Sequence, residues 1–176
     1  MSITPQDNAD TLAAFQSGAL DGAWVPEPWA TRLVLEGGGH VLVNEADLWP
    51  EGDFVTTHLI VSTEFLDEHP DVIKALIVGL ADAIKVANED PDAQTTVNAG
   101  IEAITTKPLG DETIAGAWSN LRFTLDPIAS SLQGSADDAI AVGVLEPVDL
   151  ASPGIYDLTL LNEVLAERGE EPVDGL

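Results

Sequence analysis

Residues 20–39 read LDGAWVPEPWATRLVLEGGG. A short apolar run ends at Val25, Pro26 interrupts it, and Pro28 opens a stretch of helix-favouring residues that lasts until Gly37. Proline cannot donate to a ladder, so it ends a strand; it suits a helix's first turn, where its missing N–H needs no partner. The stretch therefore predicts a strand, a tight turn and a helix, with Glu27, Pro28 and Trp29 at the strand's carboxyl edge. Gly, Asn or Asp would make such a turn more simply than two prolines and flanking tryptophans. Either the aromatics pack a corner, or they line a ligand mouth, since ligands of open α/β sheets sit at that edge. On the second reading Pro26 and Pro28 hold Glu27 extended, and free amides at the helix start offer an anion site. Strand alternation puts Trp24 in the core and Glu27 and Trp29 beyond the strand, facing ligand. Arg32 is the nearest base and neutralises Glu27 only if the turn folds back.

Outward from this stretch the same grammar continues. TLAAFQSG forms a helix capped by Asn8 or Asp10 and ended by Gly18. ALDGAWV and HVLVNEA read as strands around the helix that Gly37–Gly39 closes, so residues 1–46 alternate as a parallel sheet with crossovers does. DFVTTHLIVS (53–62), rich in β-branched residues, is the strongest strand. Ser62 or Thr63 opens the helix EFLDEH. From Asp71, Ile73, Leu76, Ile77, Leu80, Ile84 and Ala87 recur at helical spacing, which predicts an amphipathic helix over 70–88. Helices follow in PDAQTTVNAGIEAITT, ETIAGAWSN, PIASSLQGSADDAIAVGVL and LTLLNEVLAERG, with LRFTL as a short strand and a turn at Ser152-Pro153-Gly154.

Charge and composition remove several classes of function. The 176 residues include 31 acids and 6 bases, a formal charge of −25. Such a surface repels nucleic-acid phosphates and anionic membranes. It fits a chain kept soluble by carboxylates, including in high salt where self-repulsion is screened. Cysteine is absent, so thiolate nucleophiles, disulfides and Cys-ligated metals are excluded. His40, His58 and His69 share no metal-ligand spacing, and no P-loop, G-x-G-x-x-G or G-x-S-x-G is present. The amino terminus has neither the basic nor the apolar region of a signal peptide, and no apolar run reaches the ~20 residues of a membrane span. No cofactor and no enzymatic activity are expected.

The run DTLAAFQSGALDGAWVPEPWATRLVLEGGGHVLV resembles the second lobe of substrate-binding proteins of ABC importers for nitrate, aliphatic sulfonates and taurine. Gln16-Ser17-Gly18, Asp21 and Glu27-Pro28-Trp29 carry the likeness, which continues through THLIVSTEFLDEHPDVIKAL, FTLDPIASSL and DLTLLNEVL. The resemblance implies an α/β, type II periplasmic-binding-protein-like fold with an incomplete two-lobe architecture. Residues 1–52 would belong to the second lobe, 53–61 would be a hinge-crossing strand, and 62–176 the C-terminal part of the first lobe. Family members are nearly twice as long, so the chain looks like a C-terminal portion. The implied function is binding a small sulfonate, nitrate-like or related organic solute, held by Glu27, Pro28, Trp29, Thr56, Thr57 and His58. An ABC permease and ATPase are the implied partners of the complete protein, and its location extracytoplasmic. Ligand-sensing modules share the fold, as do thiamine-pyrimidine-synthase-like enzymes, which depend on a cysteine-rich segment this chain lacks.

Overall fold

The computed structural model describes residues 2–150 and 154–175. Ser152 and Pro153 of the predicted turn lie outside the described residues, and Gly154 takes a positive φ of 95°. Eight α-helices are present among the described residues: α1 Asn8–Gln16, α2 Trp29–Leu35, α3 Thr63–Glu68, α4 Pro70–Glu89, α5 Ala93–Thr105, α6 Asp111–Ser119, α7 Ala129–Ala141 and α8 Thr159–Arg168. Short 3-10 turns occupy Glu45–Leu48 and Pro50–Gly52.

The helix ends follow local chemistry. Behind α1, Gly18 turns left-handed (φ 76°), its N–H reaches the Phe15 carbonyl, and the Ala19 N–H reaches back to Ala14 at 2.9 Å. This paired closure satisfies carbonyls that the helix leaves free, and glycine makes it without strain. Ser62 caps α3 by accepting the Phe65 N–H at 3.2 Å. Gly39 donates to the Leu33 carbonyl behind α2, and a Cβ on Gly37 would fall 2.6 Å from that same oxygen. The glycine triplet is a helix stop.

No strand forms among the described residues. The predicted strands at 19–25, 40–46, 53–62 and 121–125 are stretches without ladder partners, and the first 3-10 turn takes the end of the second. Asp53 and Ser62, at the edges of the third, are extended (ψ 124° and 145°), yet no backbone hydrogen bond among the described residues holds residues 57–61. A helix completes its backbone bonds within its own residues, whereas a strand requires a neighbour. Trp24, expected in the core, is 70% exposed, because the strand that would bury it has no sheet around it.

The chain divides into two compact units, each described separately. The first comprises the residues up to Asn44 with Ala87–Arg122. Here α2 packs on α1 and α6, and α5 on α6. Leu12, Thr31, Ala93, Ile114 and Ala117 are buried, and Gly116 lets α6 approach so closely that a Cβ there would lie 2.8 Å from Thr31 Cγ2. Asn98 fastens the loop after α5 by exchanging two hydrogen bonds with Leu109 (2.9 and 2.8 Å).

The second unit comprises Glu45–Val86 with the residues from Phe123 onward. Val164 and Leu165 of α8 and Ile73 and Ala81 of α4 are buried. Lys74 of α4 meets Glu163 and Glu167 at 3.2 and 2.7 Å, and Arg168 reaches the Val78 carbonyl and Asp82. Asn162 exchanges two bonds with Val173 and so ties down the segment after α8. Trp49 stacks on Phe54, with ring centroids 5.9 Å apart, and lies against Gly134 of α7. The periodic face predicted for α4 is only partly covered: Ile73 is buried and Ile77, Ile84 and Ala87 are half-buried, but Leu76 and Leu80 face solvent.

The accessible surface is 12230 Å². A compact monomer of this mass exposes about 8,200 Å², and two separate compact bodies matching the two units about 9,900 Å². The excess over either figure includes whole apolar side chains, among them Leu42 and Ile60 at 88% and 87% exposure. We expect strong binding of a hydrophobic dye by the purified chain and a broad unfolding transition. A sharp two-state melt of a clean, dye-silent monomer contradicts this. Two glycines should respond with opposite signs. Gly79→Ala on α4 meets no atom within 4 Å and should gain up to about 1 kcal/mol of helix propensity. Gly116→Ala makes the same gain but crowds Thr31, at an overpacking cost of about 1–3 kcal/mol. Urea midpoints rising for the first and falling for the second are the expected result.

Candidate ligand-binding turn

The turn before α2 closes on itself. The Glu27–Pro28 peptide is cis. The Trp29 and Ala30 N–H groups donate to the Pro26 carbonyl at 3.0 and 3.3 Å, and the Arg32 N–H donates to Pro28 at 3.0 Å. The remaining first-turn amide, Thr31 N–H, donates to Glu27 Oε2 at 3.1 Å. All four amides at the start of α2 are therefore taken, and the anion site expected there is absent. Glu27 acts as an acidic cap, placed where the helix dipole favours a negative charge.

The other Glu27 oxygen, Oε1, accepts from Asn120 Nδ2 at 2.7 Å. Asn120 directly follows α6 and was not singled out from the sequence, because a contact across 93 residues leaves no local pattern. The carboxylate thus joins the start of α2 to the end of α6, beside the close contact of Thr31 and Gly116. Glu27, Pro28 and Trp29 are all half-buried.

Arg32 does not turn back to Glu27. Its Nε and Nη2 meet the two Glu36 oxygens at 2.7 and 3.2 Å, one turn along α2, and its guanidinium lies 4.8 Å from the Trp29 ring centroid. The i,i+4 spacing brings the pair together, and the planar guanidinium matches both the carboxylate and the indole face. The hydrogen bond with Arg32 holds the Glu36 carboxyl below its usual pKa, and the same bond raises that of Arg32. Trp29 is consequently a ring with a cation on one face. Beyond Glu36, a shallow groove of about 390 Å³ is lined by Leu35, Glu36 and the start of α6, Gly110–Thr113. Glu36, Asp111 and Glu112 make its rim acidic.

Thr56, Thr57 and His58 belong to the second unit. The two threonines are exposed, and His58 is half-buried. His58 Nε2 lies 2.9 Å from the Pro127 carbonyl, so that nitrogen carries the proton and donates it. The imidazole stands edge-on to Tyr156, with centroids 5.9 Å apart, and burial pushes the Tyr156 phenol up from its usual pKa. Nearby, Ser131 Oγ receives the Val55 N–H at 3.0 Å and donates to the Ile128 carbonyl at 2.8 Å. These bonds fasten the 53–58 stretch to the start of α7. Among the described residues, no group of three or more His, Asp or Glu is placed to hold a metal ion. No helix among them is long and apolar enough to cross a membrane.

The chain belongs to the NMT1-like family, which matches residues 1–101, and that family has the periplasmic-binding fold. Over 82 residues the chain is 33% identical to the taurine-binding periplasmic protein of Escherichia coli (strain K12); the stretch covers 46% of this chain and 25% of that protein. The family and this relative agree with the resemblance read from Gln16-Ser17-Gly18 and Glu27-Pro28-Trp29. No solved structure matches the chain.

The Glu27 bridge can be measured. Glu27→Ala should cost about 1–2 kcal/mol by freeing the Thr31 N–H and stranding Asn120, and Glu27→Gln, which keeps an acceptor, less. In a double-mutant cycle, Glu27→Ala and Asn120→Ala should couple by about 0.5–1.5 kcal/mol. Strictly additive losses in urea unfolding would show that the bridge carries no energy.

Proposed function

We propose that this chain is the solute-binding part of an ABC importer, acting on a small sulfonate, nitrate-like or related organic solute. The observation that carries the reading is the Glu27 carboxylate, fixed by Thr31 and Asn120 in the same turn that carries the half-buried Trp29. Family membership and the similarity to a taurine-binding protein support the solute-binding class. Within it, Glu27, Pro28 and Trp29 form one ligand contact, and Thr56, Thr57 and His58 contribute another. The proposed architecture is the two-lobed α/β binding-protein fold, with 1–52 in one lobe, 53–61 as the hinge strand and 62–176 in the other. A permease and an ATPase are the proposed partners, at an extracytoplasmic site of action. No chemical step is part of this proposal.

The first-turn amides of α2 are consumed internally, so a bare anion finds no donor there. Each Glu27 oxygen accepts one hydrogen bond, from Thr31 or from Asn120, and keeps a second lone pair, which suits a solute that brings its own N–H donors. An amino-sulfonate meets that requirement; nitrate does not.

Isothermal titration of the chain with taurine, methanesulfonate and nitrate tests the reading. Taurine should bind most tightly. Trp29→Ala should weaken it by about 1–3 kcal/mol through the lost aromatic wall. Glu27→Gln should narrow the preference for taurine over methanesulfonate. Unchanged titrations for both variants would return the turn to a packed corner.

A further inference from the structure

Beside the Glu27 carboxylate lies a further acceptor that the turn itself does not supply. A carboxylate only accepts, so the 2.7 Å contact between Asn120 and Glu27 fixes how the amide is turned: Nδ2 faces Oε1 and donates to it. The amide carbonyl Oδ1 then points away from Oε1 on the same planar group, and no donor reaches it among the described residues. Asn120 is exposed, and it belongs with Glu27 to the first unit. Together with the lone pairs left on Oε1 and Oε2 of Glu27, the two side chains offer hydrogen-bond acceptors on three oxygens. The aromatic part of the turn is placed differently. Cations without N–H groups, such as a quaternary ammonium, are held by open aromatic faces. Here the Arg32 guanidinium already lies over the Trp29 ring, 4.8 Å from its centroid, and two bonds from Glu36 keep it there. A second cation at that face meets a like charge, and no other ring stacks on Trp29 among the described residues.

We infer that Asn120 is a specificity-determining residue of this site, and that the site selects a primary ammonium group over its N-methylated forms. A primary ammonium carries three N–H donors to match Glu27 Oε1, Glu27 Oε2 and Asn120 Oδ1. Each methyl group removes one donor and leaves an acceptor desolvated and unpaired once the solute is bound. Methylation gains nothing in return at Trp29, because the ring face that would receive it is already under a guanidinium. The inference rests on the proposed function, which asks only that the solute bring N–H donors. It adds how many donors are recognised and which residue outside the turn recognises them.

Isothermal titration of the chain with taurine and its N-methyl, N,N-dimethyl and N,N,N-trimethyl derivatives provides the test. All four carry one positive nitrogen and one sulfonate at neutral pH, and they differ in the number of N–H donors. Affinity should fall at each methylation, by about tenfold or more from taurine to the trimethyl form. Asn120→Ala should compress that ratio to about threefold or less. Asn120→Asp keeps an acceptor toward the solute but loses the donor to Glu27, and it should preserve or widen the ratio. A residue that merely joins α2 to α6 would instead lower the affinity for all four solutes alike in both variants. A flat or rising methylation series, a ratio untouched by Asn120→Ala, or a ratio compressed by Asn120→Asp would each overturn the inference and leave the proposed function standing. Failure of all four solutes to bind would sink both.

Discussion

Backbone polar groups must be paired, and the two regular structures meet that demand differently. A helix closes its N–H and C=O bonds within a few residues, so a short segment with suitable ends folds wherever it occurs. A strand has no internal bonds and takes its form from the strand beside it. This asymmetry governs what is present here. All the helices form, ended by Gly18, by the glycines after Leu35 and by Gly169 at φ 70°. The stretches between them, though rich in valine, isoleucine and threonine, find no ladder among the described residues. The large accessible surface follows directly, because segments built to be covered on both faces remain wet.

The turn at residues 26–29 is the place where a loop satisfies itself completely. Pro26 and Pro28 supply carbonyls to the first amides of α2, and Glu27 supplies the acceptor they leave over. Its second oxygen reaches Asn120, which fixes the carboxylate relative to α6. Capping and binding are compatible demands on such a group. The bonds that make it a cap also remove its rotational freedom, so a solute meeting it pays little for its ordering. The proposed binding role therefore rests on the rigidity of the turn, and the same rigidity gives Glu27 a structural role independent of any ligand.

Local chemistry was legible in the sequence, and pairing between distant residues was not. Ser62 as a cap, Gly18 and Gly37–Gly39 as stops and the long helix from Pro70 all follow from rules that act within a few residues. The Glu27–Asn120 bond has no such signature, nor does the packing of Gly116 on Thr31. The expected anion site failed for a specific reason: the rule counts a helix's free amides, and here an acidic side chain four residues upstream had already taken one. The strands expected from β-branched content do not form, because strand propensity is a preference for being half-buried on a pleated surface. That preference becomes a strand only when the surface exists. Trp24, placed in a core by alternation, shows the consequence, since alternation has meaning only relative to a sheet.

The small stock of basic residues sharpens the electrostatic argument around the turn. Lys74 is committed to Glu163 and Glu167, Arg168 to Asp82 and the Val78 carbonyl, and Arg32 to Glu36 and the Trp29 ring. Three of the six bases are thereby spent on holding helices or an aromatic in place. Arg32 is the one of these that touches the turn, and its two-pronged bond with Glu36 leaves it nearly neutral as a pair toward a distant anion. An approaching sulfonate therefore meets the guanidinium only by competing with a carboxylate held at hydrogen-bonding distance. An ammonium on the same solute meets Glu27 without a competing cation beside it, because Arg32 points along the helix rather than back across the turn. On the proposed binding role, the asymmetry between these encounters favours a zwitterion over a simple anion.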